Sequence, residues 1–115
     1  MKPRVFGEEA HVVLEGELDI FRQGDMAAAL PDPSAIGGAT IDLSRATYLD
    51  SVAIGMLVGF RRSFVTAGGD PQKIVLILPT AGPVHRTFEI CGLTRLFPVA
   101  YADPNYSGVS VPSPS

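Results

Sequence analysis

Apolar positions along the chain alternate between short runs suited to strands and longer stripes suited to helices. Val5 and Phe6 read as a short edge strand ended by Gly7. His11 to Leu18, HVVLEGEL, mixes apolar and polar positions with β-branched residues and reads as one strand, with Gly16 as a bulge or close-approach point. Residues 22–30 favour helix through a methionine, three alanines and a leucine, and Pro31 stops them. Residues 31–38 are a loop by their Pro and Gly content, and 39–43 form a buried strand. A polar turn leads to the best helix of the chain, residues 51–66. At about 100° per residue, Ala53, Leu57, Phe60 and Phe64 share one face, which Ile54, Val58 and Val65 widen. Gly68-Gly69 caps that helix. Residues 73–78, KIVLIL, are nearly all apolar and predict a central strand covered on both faces, ended by Pro79. Thr80 is placed as an N-cap and Pro83 in the first turn of a helix whose apolar face is Val84, Phe88 and Cys91, with Gly92 as terminator. A last short strand is expected at Phe97–Tyr101.

Strands that alternate with helices predict a single α/β domain over residues 1–102, with a mixed, partly parallel sheet of about four to five strands and helices packed on it. Residues 103–115, rich in Pro, Ser and Gly, are expected to be a disordered tail. Asp19, the pair Asp50-Ser51 and Thr80 each follow the carboxyl end of an expected strand. Parallel strands would place all three along one sheet edge, where α/β domains carry their sites.

Length and composition narrow the function classes. The 115 residues suit one domain, able to bury a core without disulfides or metal. With 46% hydrophobic and 18% charged residues, global disorder is excluded. A net charge of −3, and no basic run beyond Arg61-Arg62, argue against nucleic acid as a partner. No stretch reaches the roughly 18 apolar residues of a membrane span, and the N-terminus lacks a signal-peptide core. The single Cys91 excludes an intramolecular disulfide framework and reads as a small core residue. A soluble cytoplasmic protein is the expectation.

Candidate chemistry is sparse. No spacing of His and Cys suits a metal, and neither a phosphate-binding glycine loop nor a hydrolase nucleophile elbow is present. Neither a cofactor nor a catalytic residue is therefore assigned, although a Ser51–His85 pair, with His85 on an exposed helix flank, stays open as a small hydrolase. Asp50 and Ser51 are both favoured helix starters, because their side chains accept bonds from unpaired backbone N–H groups. Asp19 reads as a turn residue and Arg62 as a charge favourable to the helix dipole. Gly55 and Gly59 each cost the helix about 1 kcal/mol against alanine. Their return is a smooth surface for close approach, either by another element of the domain or by a partner.

Four segments in order resemble the STAS-domain family of anti-sigma-factor antagonists: GELD at 16–19, IDLSRATYLDS at 41–51, Gly68-Gly69 before KIVLILP, and VHRTFEICGLTRLF at 84–97. The resemblance spans roughly residues 11–100 and implies a STAS-like fold. It places Ser51 at the family's phosphorylatable serine, with Asp50 and Asp19 as acidic neighbours. Where the family often reads Asp-Ser-Ser-Gly-Leu-Gly, this chain has Asp50-Ser51-Val52-Ala53-Ile54-Gly55. The implied function is to bind an anti-sigma factor, itself often a serine kinase, and so release a sigma factor until Ser51 is phosphorylated. ATP and Mg²⁺ would belong to that partner. The implied contact surface is Asp19, Asp50, Ser51, Val52, Gly55, Met56, Gly59 and Arg62 on a monomer or weak dimer. A STAS module in a stressosome, or as an accessory subunit of a lipid-transport ATPase, is the alternative.

Overall fold

Among the described residues, four parallel strands form the frame. The structure, a computed structural model, describes residues 9–102. The strand expected at Val5 and Phe6 and the tail at 103–115 lie outside these residues. The elements run β1 (Glu9–Val13), β2 (Gly16–Leu18), α1 (Gln23–Ala29), β3 (Gly38–Asp42), β4 (Ala46–Leu49), α2 (Ser51–Thr66), β5 (Ile74–Pro79), α3 (Pro83–Ile90) and β6 (Val99–Ala102). The larger sheet has the order β1-β3-β5-β6, and β2 pairs with β4 in a separate two-stranded ladder. Every strand pair among the described residues is parallel.

The single strand expected over residues 11–18 is therefore two strands in two sheets. Gly16 has φ +82°, where L-residues rarely sit, so the chain turns out of the larger sheet there. Leu14 still donates to the Asp42 carbonyl, whereas Gly16 donates to Arg45. The four residues of β4, read from the sequence as a turn, are buried only at the two ends. That pattern has no period-2 signal to detect.

The core lies between α2 and the sheet. Ala53, Leu57, Phe60 and Phe64 of α2 join Ile74, Leu76 and Leu78 of β5 in one cluster with Ile41 and Phe88. Each fully buried Leu or Phe contributes roughly 1.5–3 kcal/mol of transfer free energy. Ile54 and Val58 are half-buried at the rim of the stripe, and Val65 is exposed. The two faces of β5 are unequal, contrary to the expectation from its apolar run. Val75 and Ile77 are half-buried, because α2 covers the opposite face.

Caps fix both ends of α2. Asp50 is its N-cap. At the C-terminus Gly68, at φ +98°, donates to Val65, and Gly69 donates to Phe64. These bonds satisfy carbonyls that the last turn leaves open. Before β3, Asp32 caps a short turn. The Ser34 N–H and hydroxyl both donate to it and hold its carboxyl below the usual range.

Three local expectations are corrected. Gly82, not Thr80, stands at the N-cap of α3, with no side-chain capping bond. Cys91 is exposed, because α3 ends at Ile90 and the chain turns through Gly92 in a left-handed conformation. His85 is no exposed flank residue. Its side chain is only 22% exposed, with Nε2 at 3.2 Å from Glu89 and Nδ1 at 3.0 Å from the Pro79 carbonyl.

Candidate functional site

The β2–β4 ladder brings two distant segments together at one end. Leu18 pairs with Leu49, and the Asp50 N–H donates to the Leu18 carbonyl at 3.2 Å. Asp19 and Asp50 thus leave the ladder side by side. Both have extended backbones, which frees each carboxylate to cap the helical turn immediately after it.

Both oxygens of Asp50 are engaged. Oδ1 accepts the Ala53 N–H at 3.0 Å and caps α2; Oδ2 accepts the Ile20 N–H at 3.1 Å. Asp19 accepts the Phe21 N–H at 3.0 Å, which closes a 3-10 turn over Ile20–Arg22. Arg22 pairs with Asp25 at 3.0 Å. The turn is therefore braced from three sides, and it presents Ile20 at 55% and Phe21 at 91% exposure. Sequence reasoning passed over these two residues. The available signal was an apolar pair stranded between a strand and a helix, belonging to the stripe of neither.

Ser51 is the first residue of α2 and is exposed. Around the helix axis Ser51, Gly55, Gly59 and Arg62 share one arc, opposite the buried stripe. Gly55 and Arg62 are exposed, and Gly59 and Val52 are half-buried. A Cβ built at Gly55 or Gly59 meets no atom within 4 Å. Among the described residues no other element packs on these glycines, so the intradomain reading of their smooth surface finds no support there. Met56 is half-buried and packs on the core, so part of its side chain does have a core role.

Thr80 stands apart from this group. Its loop faces the other end of β4, where Ser44–Thr47, Pro79, Ala81 and Pro83 line a cleft of about 350 Å³. The edge expected from the sequence is thus divided, with Asp19, Asp50 and Ser51 at one place and Thr80 at another. His85 is held by Pro79 and Glu89 and makes no hydrogen bond with Ser51. Among the described residues no group of His, Cys, Asp or Glu could hold a metal ion. No described helix is long and apolar enough to cross a membrane.

The STAS domain model matches residues 7–103, nearly the whole chain. The chain belongs to the STAS domain family. A search of curated proteins returns no relative. The single α/β domain with its parallel ladder and packed helices is the STAS topology. STAS domains are non-catalytic scaffolds, so this chain is not an enzyme. The site is accordingly read as a binding surface: a hydroxyl at a helix start, a smooth helical arc and a braced apolar turn.

Proposed function

We propose that this STAS domain is an anti-sigma-factor antagonist: it binds an anti-sigma factor that is also a serine kinase and releases a sigma factor. Phosphorylation of Ser51 switches the binding off. The observation that carries this reading is the exposed Ser51 at the first position of α2, on the same arc as two glycines where an added Cβ meets no atom of the described residues within 4 Å. A kinase needs access to the hydroxyl, and a partner backbone can approach Gly55 and Gly59 closely. Asp19, Asp50, Val52, Met56 and Arg62 complete the surface. The reaction takes place in the cytoplasm, with ATP and Mg²⁺ supplied by the partner.

Two measurements test this. Pull-down from the native cell with Ser51→Ala and Ser51→Asp baits, read by mass spectrometry, should recover a serine kinase of anti-sigma type with Ser51→Ala and lose it with Ser51→Asp. Recovery of stressosome or transport-ATPase subunits instead would reassign the module. Phosphosite mapping after incubation with the recovered kinase and ATP should find Ser51. Modification confined to serines of the tail, such as Ser110, Ser113 and Ser115, would count against it.

A further inference from the structure

Phe21 is 91% exposed, and Ile20 beside it is 55% exposed. The backbone beneath them is already fixed. Asp19 holds the Phe21 N–H, Asp50 holds the Ile20 N–H, and the Arg22 N–H closes the turn on the Asp19 carbonyl at 2.9 Å. An aromatic on a fixed backbone has only its own few rotamers left to lose on binding, which suits an interface anchor.

We infer that Phe21 is the apolar anchor of the partner surface, and that the Asp50 carboxylate positions it while capping the helix that begins at Ser51. The inference rests on the proposed anti-sigma partnership and adds the residue that dominates its affinity. Charge defines the partner's socket. Residues 15–25 carry four carboxylates, Glu15, Glu17, Asp19 and Asp25, against the single Arg22. The complementary surface is therefore an apolar pocket rimmed by Lys or Arg. Asp50 makes the anchor continuous with the Ser51 arc, since one carboxylate spans Ile20 and Ala53.

The test has two arms. In the first, amide hydrogen exchange is read by NMR on the free protein and on Asp50→Asn. Asparagine keeps a carbonyl oxygen to cap Ala53 but offers an NH₂ group to Ile20, which cannot accept. The Ile20 amide should exchange at least about tenfold faster in Asp50→Asn, while the amides in the middle of α2 keep their protection. Unchanged exchange at Ile20 overturns the positioning role. In the second arm, calorimetry with the serine kinase captured by the Ser51→Ala bait should show Kd at least about 30-fold higher for Phe21→Ala. The melting temperature should be unchanged, because an exposed side chain leaves no cavity. Equal affinity for Phe21→Ala and wild type overturns the anchor and leaves the anti-sigma reading standing. Capture of no kinase overturns both. If sedimentation shows that Phe21→Ala abolishes self-association while kinase binding persists, the turn is a contact between two copies and the inference fails.

Discussion

The Ile20 N–H donates to Oδ2 of Asp50 at 3.1 Å, across thirty positions of sequence. The other oxygen of the same carboxylate caps α2 through Ala53 at 3.0 Å. One side chain thus fixes both the start of the helix and the turn beside it. Losing a helix cap costs about 0.5–2 kcal/mol. Asp50→Ala removes the cap and the tie to Ile20, so it should destabilise by roughly 1–2 kcal/mol in urea unfolding. Asp50→Asn retains the cap and should lose less than half of that. Equal losses would mean that the cap bond contributes nothing measurable.

Gly59 gives a cleaner separation of binding from folding. A Cβ there meets nothing within 4 Å, and leucine has higher helix propensity by up to about 1 kcal/mol. Gly59→Leu should leave the melting temperature unchanged or raised. It should weaken partner binding at least about tenfold by holding the facing backbone away. Unchanged affinity in a calorimetric titration would remove this arc from the interface.

Gly69 behaves oppositely. A Cβ at residue 69 would overlap the ring of Phe64, which is fully buried and has no room to retreat. Gly69→Ala should therefore destabilise by about 1–3 kcal/mol, the range for overpacking a core. Partner affinity of the folded fraction should be unchanged, since Gly69 lies at the far end of α2 from Ser51. Denaturant unfolding beside calorimetry separates the two effects.

These glycines also show how far the sequence could be read. The α2 stripe was legible because Ala53, Leu57, Phe60 and Phe64 repeat at helical spacing over about three turns, and the structure gives residues 51–66 as expected. The bounds of β3 and β5 were legible to within a residue, because β3 follows a Pro- and Gly-rich loop and β5 is a continuous apolar run closed by proline. The β2–β4 ladder was not legible, since three and four residues carry no period and Gly16 reads as a bulge or close-approach point within one strand. Ser51 and Asp50 stood out only as helix starters, and the family resemblance supplied the rest. The exposed Phe21 was hidden for a physical reason. Its position depends on a hydrogen bond from Ile20 to a residue thirty places on, which no local pattern encodes. Cys91 was misread because its spacing from Phe88 continues a helix that ends one residue earlier.

Phosphate at Ser51 sets the last expectation. Phosphoserine adds about −1.5 to −2 charges at pH 7. At the first helical position it meets the N–H groups of Ser51 and Val52, which have no intrahelical acceptor, and the positive end of the dipole. Asp50 opposes it by like charge, but its carboxylate is already held by two N–H donors and Ser51 is exposed, so the repulsion inside the domain is screened. Attraction and repulsion are comparable, and the domain stays folded. At the proposed interface there would be no such compensation, because a dianion would have to be desolvated against a surface shaped for a hydroxyl. Ser51→Asp should therefore melt within a few degrees of wild type and bind the partner at least about 100-fold more weakly, a difference of about 2.7 kcal/mol. Ser51→Ala should fold, bind and resist the switch. Thermal melts of the three proteins beside their partner dissociation constants decide the matter. A loss of affinity in Ser51→Asp that only follows a large drop in melting temperature would make the switch local unfolding, not repulsion at the interface.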